Sequence, residues 1–540
     1  MNKEITITFR KNNILIQKIK TFIDNYHLYI LVGILSLVSI YYYLLYFHNN
    51  LSLAYNDARS HLDIGRRVVE GLKPGIAQLG SVWLPLNHIL MIPLVWNDFM
   101  WYSGLAGSFW SMLSYVGTGI LIYKFLEKIN VGVVGRIFGV GVFAANLNIL
   151  YLQSTAMTEL LLLFTMTAGC YYLMLWQKED NLLDLIKSSF WIMLSTLVRY
   201  DGWLLLLLVG GIVAFQTWKK RGFKAMEGIT ILFLTMGAFG IVLWFGWNWA
   251  IFKDPLYFAF GPFSAHAQQQ QLLTAGNLPT RGNLLLSIKV YFYALFYNSI
   301  TTTAIVGFFA AVLMWFDKKI PSGIRIASVS LMAPLAFNII ALFLGFSVLF
   351  IQGISGNTWF NARYGVMLLP SFAVFLGYLV DKLKNLRWVI IGLFAFTAFF
   401  AFVNGDAVTI DDARVGSSQK NVTEVSRYLH DHASGEKGFI LISAASHDAI
   451  IFSSGLPMKR FIHEGTGAYW ESALESPDRW ARWIVTRTYD VNDLTYKFVS
   501  KSEGFKKYDL VESFPFADIY ELKEEYRGNL NTEPILGKQK

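Results

Sequence analysis

The chain has 540 residues, of which 54% are hydrophobic and only 15% charged, and its mean hydropathy is +0.42. These values exclude a chain that is soluble over most of its length. The formal net charge of +9 does not indicate a nucleic-acid partner, because the basic residues collect in short connectors between apolar runs. The single cysteine, Cys170, excludes an internal disulfide.

Apolar runs recur along the first three quarters of the sequence and predict a polytopic α-helical membrane protein. A helix of about 20 residues crosses the hydrocarbon core and pairs its backbone groups internally. We predict about eleven transmembrane helices, and their bounds in chain order are 28–47, 101–123, 132–150, 158–176, 187–199, 202–217, 228–252, 291–316, 323–350, 364–380 and 388–404.

The basic residues indicate the orientation of these spans. They occur in the N-terminal segment 1–27 and in the connectors near 124–128, 219–221, 318–319 and 382–387. With this assignment all of these clusters fall on one side, which the positive-inside rule places in the cytoplasm. The first span is interpreted as a retained anchor. The odd number of spans then puts the C-terminus outside the cytoplasm.

Three outer loops follow from this topology, at 48–100, 253–290 and 351–363. In the first loop, Tyr55–Gly71 predicts a short helix lying at the membrane interface, with Leu62, Val69 and Leu72 facing the membrane. The next segment, Trp83–Pro93, is apolar but short, and its two prolines favour a second interfacial or re-entrant helix. A true span at this position stays open as an alternative that changes the count.

The composition becomes charged and turn-rich from about residue 405, which predicts a C-terminal extracytoplasmic α/β domain over 405–540, after a membrane domain over 28–404. The pattern predicts a helix at Val422–His432. It also predicts strands at Gly438–Ser443, Trp483–Thr488 and Asp518–Leu522.

Asp57 is the first candidate for chemistry, because it places a carboxylate at the outer membrane surface, just after the first span. Arg59 and His61 lie within one helical turn of it. A carboxylate there can serve as general base for an acceptor nucleophile, with a pKa set by neighbouring charges. The alternative is a solvated interfacial Asp at the start of a helix, which either Asn56 or Asp57 caps.

Further ionisable residues occur in three outer turns. Glu159 follows a Thr-Ala-Met-Thr segment, Arg199 and Asp201 belong to an Arg-Tyr-Asp-Gly turn, and Arg363 and Tyr364 to an Asn-Ala-Arg-Tyr turn. Ionisable groups at such depths are costly and tend to be functional. Arginine can hold a phosphate through paired donors. The alternatives are a structural ion pair for Arg199 and Asp201, and a contact to lipid headgroups for Arg363.

Histidines in the outer loops can join acidic residues in binding a divalent metal. They are His61, His88 and His266. The sequence contains no Walker loop, no dinucleotide-binding glycine fingerprint and no His-Glu-x-x-His motif. In the C-terminal domain the pair His447-Asp448 follows a predicted strand and is interpreted as part of a loop.

Taken in order, these features resemble the GT-C glycosyltransferases. They are the outer acidic residue after span one, helices ending in Trp-Leu-Pro-Leu, outer Thr-Glu and Arg-x-Asp-Gly turns, a late Arg-Tyr-x5-Pro and an outer C-terminal domain. The resemblance covers roughly residues 25–405. It is strongest to the protein O-mannosyltransferase and aminoarabinose transferase branch.

The resemblance implies transfer of a hexosyl or pentosyl group from a polyprenyl-phosphate carrier to a lipid, glycan or protein acceptor at the outer face of the plasma membrane. It implies that Asp57 is the base of an inverting displacement. Arg363, with Arg199, then neutralises the leaving lipid phosphate, and Glu159 binds the acceptor or a divalent metal. The remaining predicted substrate contacts are Arg59, His61, His88, Asp201 and Tyr364.

Two departures from the family pattern narrow this prediction. The acidic pair often found in the first loop is here Asn56-Asp57, and the single carboxylate weakens the case for a metal-ligand pair. The C-terminal domain lacks a Trp-Trp-Asp motif, which argues against the asparagine-linked branch.

Two other functions stay open. A transporter or lipid flippase usually carries its ionisable residues at the midplane within interrupted helices, whereas those of this chain gather at one outer edge. A non-enzymatic cell-envelope assembly protein is expected to tolerate loss of Asp57 and to require its C-terminal domain.

Overall fold

A computed structural model of the protein describes residues 26–262, 264–274, 276–416, 419–487, 493–515 and 517–533. The predicted basic segment 1–27 lies almost entirely outside these residues. The helices that precede the C-terminal domain are α1 (Tyr26–His48), α2 (Asn56–Val69), α3 (Leu86–Val95), α4 (Asp98–Tyr102), α5 (Leu105–Lys128), α6 (Val133–Ala144), α7 (Leu147–Leu152), α8 (Glu159–Glu179), α9 (Leu182–Thr196), α10 (Asp201–Arg221), α11 (Phe223–Gly237), α12 (Phe239–Phe252), α13 (Tyr257–Phe260), α14 (Ala265–Thr274), α15 (Leu284–Ser299), α16 (Thr301–Phe316), α17 (Ser322–Ser328), α18 (Ala333–Leu344), α19 (Leu369–Lys382) and α20 (Arg387–Asn404).

The protein is a multi-pass membrane protein. Among the described residues, seven helical stretches are long and apolar enough to cross a membrane, and the number reaches nine if two bent pairs each count as one span. The predicted spans 132–150 and 187–199 correspond to α6 and α9, which have 12 and 15 residues. Both are shorter than the about 20 residues that a straight span needs. The count of eleven therefore stays a prediction.

Two predicted spans are bent rather than straight. The helices α11 and α12 meet at 44°, and α15 and α16 meet at 109° next to Ile300, which has a φ of +65°. A break inside an apolar segment frees backbone groups that lipid cannot satisfy. Here the carbonyl of Asn298 accepts hydrogen bonds from the side-chain amides of Asn146 and Asn148, at 2.8 and 3.1 Å. Buried amides from another part of the chain thus stabilise the bend.

The first predicted outer loop contains the two predicted helices, α2 and α3, and protein covers most of α2. Residues 58–66 of α2 are all buried, and the helix packs against α3 and against the C-terminal domain. Leu62 is fully buried, and Leu72 packs on the C-terminal core. The prediction that these side chains face lipid is therefore wrong, because Leu62 lies in the core that includes the membrane helices and Leu72 packs against a domain more than 300 residues later in the chain.

The C-terminal domain contains a five-stranded mixed sheet flanked by helices. Its elements are α21 (Val408–Gly416), α22 (Gln419–Ala433), β1 (Phe439–Leu441), α23 (Ala444–Ser453), β2 (Phe461–Ile462), α24 (Ala468–Glu475), α25 (Pro477–Trp480), β3 (Ala481–Thr486), α26 (Leu494–Val499), β4 (Tyr508–Ser513) and β5 (Asp518–Leu522). The strand order is β2-β1-β3-β5-β4. Strands β1, β2 and β3 are parallel, and β5 is antiparallel to both β3 and β4.

The predicted helix at Val422–His432 and the three predicted strands are confirmed by α22, β1, β3 and β5. The two edge strands were not predicted, because β2 has two residues and β4 is largely exposed and lacks an apolar run. The sheet joins the membrane helices in one core. Ile440 belongs to the core that continues into those helices, whereas its neighbours Phe439 and Leu441 pack on the other face.

Short 3-10 helices complete the described fold. They are Ile76–Leu79, Val329–Met332, Ala362–Leu368, Lys384–Leu386, Met458–Arg460, Glu464–Thr466, Glu503–Lys507 and Glu524–Asn529. The segment Ala362–Leu368 positions Arg363 against α2 and α8. Gly365 makes this possible, because a Cβ at that position would lie 2.1 Å from the carbonyl oxygen of Ala294 on α15.

Candidate functional site

Asp57 and Arg363 form the centre of the candidate site. Asp57 lies in the first turn of α2, and one of its carboxylate oxygens accepts a hydrogen bond from Nη2 of Arg363 at 2.6 Å. The two partners differ in exposure: 41% of the Asp57 side chain is exposed, against 6% of the Arg363 side chain. The guanidinium of Arg363 therefore binds the Asp57 carboxylate on its buried side, and the other side of the carboxylate stays exposed.

Glu159 links the two predicted arginines behind Asp57. Its Oε1 accepts from Nε of Arg363 at 3.0 Å and from Nη1 of Arg199 at 3.3 Å, and its side chain is fully buried. Arg199 also donates from Nε to Asp201 at 3.3 Å. Five of the predicted residues are thus joined in one chain of alternating charges.

The ring of Tyr364 lies beside both guanidiniums. The Arg199 guanidinium is 4.6 Å from its centroid and that of Arg363 is 5.4 Å away. Arg363 also lies 4.8 Å from the ring centroid of Tyr55. Aromatic faces at these distances favour a cation and exclude water, so they restrict where each guanidinium can move.

Asp412 is a member of this group that was not predicted from the sequence. It lies on α21, and its Oδ2 is 3.8 Å from Nη1 of Arg363 and 2.9 Å from the hydroxyl of Tyr55, which donates to it. Thr409 on the same helix donates from its backbone and its hydroxyl to the side-chain oxygen of Asn148, at 3.0 and 2.9 Å. We call Asp57, Glu159, Arg199, Asp201, Arg363 and Asp412 the charged network.

The charged network contains more acidic than basic groups. Three of its carboxylates, Asp57, Glu159 and Asp201, lie in the first turns of α2, α8 and α10. The positive end of a helix dipole stabilises an ionised carboxylate in that turn. Helix N-termini therefore offset part of the negative charge that two guanidiniums leave unbalanced.

His61 and His88 form a buried pair next to the charged network. Nδ1 of His61 and Nε2 of His88 are 2.8 Å apart, and the ring of Trp83 lies 4.5 Å from that of His61. Burial, with the charges of Arg363 and Arg199, lowers the pKa of His61 to about 3. The His61 ring is neutral at ordinary pH, so it adds no charge to the site and contributes a hydrogen bond to His88.

The predicted metal site is not formed by these histidines. In the described part of the chain, no group of three or more His, Cys, Asp or Glu side chains could hold a metal ion. His266 instead lies 3.5 Å from the side chain of Gln270 on α14. A divalent metal stays a prediction without a donor set among the described residues.

Arg59 is not brought into the charged network. Its Nε donates to the carbonyl of Leu53 at 2.8 Å and its Nη1 to Ser453 of α23 at 3.0 Å. Burial lowers its pKa to about 10. These contacts indicate that Arg59 fixes α2 to the C-terminal domain.

A cavity of about 650 Å³ opens in front of Asp57. The membrane part contributes aromatic rings to its lining, including Trp83, Tyr257, Phe360 and Tyr364. Among the charged network, Asp57 is the carboxylate that lines the cavity. This combination of an apolar lining with a few polar groups is typical of a small-molecule site.

The C-terminal domain supplies a second polar group to the same cavity. Arg67 of α2 lies 3.2 Å from Asp448 of α23, and their side chains are 11% and 10% exposed. Asp63 lies near Asp448, and burial together with the charge of Asp448 raises the pKa of Asp63. The prediction of a loop at His447-Asp448 is wrong, because both residues belong to α23. The patterns considered gave no signal for Asp63 or Arg67.

Solved structures of membrane glycosyltransferases share this architecture. ArnT from Cupriavidus metallidurans bound to undecaprenyl phosphate aligns with a TM-score of 0.55 and 11% identity, over 91% of this chain and 98% of that protein. The Archaeoglobus fulgidus oligosaccharyltransferase in complex with Zn and sulfate aligns at 0.50 and 10%, over 90% and 72%. AglB of the same organism, with an inhibitory peptide and a dolichol-phosphate, aligns at 0.50 and 9%, over 92% and 74%.

No protein-family model and no curated protein sequence matches the chain. The likeness is therefore one of fold at low sequence identity. ArnT and AglB are GT-C proteins, so the predicted GT-C fold is confirmed.

Proposed function

We propose that this protein is a glycosyltransferase that moves a sugar from a polyprenyl-phosphate carrier to an acceptor at the extracytoplasmic face of the plasma membrane. The observation that carries the proposal is the position of Asp57 on a GT-C fold: its exposed carboxylate lines the cavity while Arg363 holds it from behind. The neighbours add support, since one was solved with undecaprenyl phosphate and another with a dolichol-phosphate.

In this proposal Asp57 is the general base of a single inverting displacement. The Asp57 carboxylate accepts the proton of an acceptor hydroxyl or similar nucleophile as the nucleophile's oxygen bonds to the anomeric carbon. The bond from that carbon to the phosphate oxygen breaks at the same time. The polyprenyl phosphate leaves with the electron pair, and the configuration at the anomeric carbon is inverted.

Arg363 orients the base and supplies positive charge close to the departing phosphate. In this structure its nitrogens are directed to Asp57, Glu159 and Asp412, which favours a positioning role over a phosphate contact made in advance. Arg199 extends the same positive charge through Glu159. Preorganised charge of this kind stabilises a transition state without reorganisation.

The remaining predictions enter the proposal as follows. The aromatic part of the cavity, which includes Tyr364 and Trp83, accommodates the first isoprene units of the carrier. The basic connectors lie in the cytoplasm, as the positive-inside rule requires. The transferred group is a hexosyl or pentosyl unit, and the acceptor is a lipid, glycan or protein.

The experiment is sugar transfer by the purified full-length protein in lipid nanodiscs, with a panel of undecaprenyl-phosphate sugars. Asp57→Asn is expected to lower the rate by about 10²-fold or more, because a positioned general base contributes about that much. Asp431→Asn, which changes an exposed carboxylate on α22, is the matched control and leaves the rate unchanged. Thermal stability is compared for all three proteins.

Turnover that survives in Asp57→Asn would contradict the assignment of the base. A wild type that neither transfers sugar nor hydrolyses any donor would favour the alternative functions, which are those of a transporter, a flippase or an assembly protein.

A further inference from the structure

The cavity in front of Asp57 has a second polar wall that the proposed displacement does not use. Arg67, Gln78, Asp448, His463 and Glu464 line this wall, which we call the domain-side wall. Gln78 ties the outer loop to the C-terminal domain, since its side-chain amide donates to the carbonyls of Lys73 and Gly465, both at 2.7 Å. The wall is therefore a joint product of α2, the outer loop and the C-terminal domain.

The domain-side wall has no excess of positive charge. Burial raises the pKa of Asp448 to about 6 and raises that of Asp63 as well, so this pair gives up its protons less readily than free carboxyl groups do. Arg67, 3.2 Å from Asp448, balances one negative charge of this pair. Glu464 is a further carboxyl group of the wall; burial raises its pKa, and it accepts hydrogen bonds from the hydroxyl of Ser443 and the backbone N–H of Ala444. Arg67 is the single Lys or Arg among the described lining residues, and it is already paired. A phosphate placed there would meet Asp448 and gain little.

The wall offers donors and acceptors for neutral groups instead. Nδ1 of His463 accepts a hydrogen bond from the backbone of Gly465 at 3.1 Å, and burial lowers the pKa of this ring to about 3. The neutral ring therefore carries its hydrogen on Nε2, as a donor. Nε of Arg67 is buried and has no hydrogen-bond partner within the described residues. Asp448 supplies an acceptor beside these donors.

We propose that the domain-side wall recognises the hydroxyl groups of the transferred sugar, with Arg67, Asp448 and His463 as specificity-determining residues. This inference rests on the proposed function and assigns the sugar-binding part of its cavity. Each hydroxyl both donates and accepts, so vicinal hydroxyls match a wall that offers both donors and acceptors and has no excess of positive charge. A buried polar wall also selects strongly, because a substrate that lacks the hydroxyl leaves protein groups unpaired.

The test compares the affinities of two lipid probes for the full-length protein in nanodiscs. The probes are undecaprenyl phosphate and undecaprenyl phosphate that carries mannose or the sugar found active in the panel. Arg67→Met is expected to weaken binding of the sugar-bearing lipid by about tenfold or more, in line with loss of a charged donor. Binding of undecaprenyl phosphate should stay unchanged, so the ratio of the two affinities reports the wall.

His463→Asn is the second variant, because it removes the Nε2 donor while its side-chain oxygen can replace Nδ1, and it creates no unpaired charge. Arg479→Met makes the same change as Arg67→Met on an exposed residue of the C-terminal domain and serves as the control. Thermal unfolding identifies any variant that fails to fold. The ratio of the two lipid affinities in the other variant then tests the inference.

The outcomes separate the inference from the function on which it rests. An equal loss of affinity for both lipids would indicate that the phosphate binds at the wall. Unchanged affinities for both lipids in both variants would indicate that the donor sugar does not bind there. Unchanged donor binding together with a raised KM for the acceptor would assign the wall to the acceptor. Each of these results overturns the inference while the enzyme stands. A wild type that binds neither lipid overturns the proposed function itself.

Discussion

The charged network and the domain-side wall face one cavity, yet they handle buried charge in different ways. The charged network keeps its carboxylates paired with two guanidiniums at the ends of helices, and it presents Asp57 with 41% of its side chain exposed. The domain-side wall keeps Asp448 nine-tenths buried near Asp63, where burial raises the pKa of both carboxyl groups. Paired charge with one exposed carboxylate suits proton transfer, whereas a polar wall without excess positive charge suits recognition of uncharged groups.

The largest effect is expected from Arg363→Met, which breaks the charged network at its centre. The change leaves Asp57, Glu159 and Asp412 without their common partner, and removal of one member of a buried ion pair costs about 3–5 kcal/mol. We expect a marked fall in unfolding temperature and a loss of transfer at least equal to that of Asp57→Asn.

Arg363→Lys is the matched variant for this change. It keeps the charge but not the planar fork, so it should recover part of the stability and little of the activity. Wild-type stability in Arg363→Met would show that the carboxylates are not held by this residue.

An intermediate effect is expected from the pH dependence of the domain-side wall. Burial raises the pKa of Asp448 from its usual 3.8 to about 6, with the charges of Arg67 and Glu464 also acting on it. The folded protein thus binds a proton that the unfolded chain releases, and the stability from this group falls as the pH rises from about 4 through about 6.

Thermal unfolding at about pH 5 and about pH 8 measures this contribution, as the difference between wild type and Asp448→Asn. The wild type should lose about 1.4 kcal/mol of stability relative to the variant over this interval, because the interval contains one pH unit below the pKa of about 6 and one pKa unit corresponds to about 1.4 kcal/mol. Parallel pH profiles for the two proteins would argue against a retained proton.

The smallest effect is expected outside both regions. Lys128 and Glu179 form an ion pair at 3.2 Å, with side chains 40% and 43% exposed. Exposed pairs of this kind contribute less than about 1 kcal/mol, because water screens them. Lys128→Met should change neither sugar transfer nor unfolding temperature by a measurable amount. A large change would mean that exposure is a poor guide to the contribution of ion pairs in this protein.

Several structural elements could be predicted because their signal is local. The long apolar runs that became α1, α5, α8 and α10 need no partner to be recognised. The strands β1, β3 and β5 have apolar or alternating residues of their own. Bent spans escaped prediction, since a hydropathy average over about 20 residues hides one residue such as Ile300 with a positive φ.

The candidate site was predicted in part. Asp57, Glu159 and Arg363 stood out as ionisable residues at the outer edge of an apolar sequence, where such groups are costly. Asp412 and Asp448 did not, because they belong to a charged, soluble-looking segment in which acidic residues are ordinary. In the structure both are buried against the membrane part, Asp412 at 2% and Asp448 at 9% exposure.

The sequence by itself determined that this is a multi-pass membrane protein with a GT-C fold and an α/β domain at its C-terminus, because hydropathy and the order of short motifs are read along the chain. Only the tertiary structure decided which charges meet. Arg363 contacts Glu159 and Asp57, which are 204 and 306 residues away in the sequence, and Arg67 contacts Asp448, which is 381 residues away. Such pairs depend on how helices and a distant domain pack, and no local pattern specifies that packing.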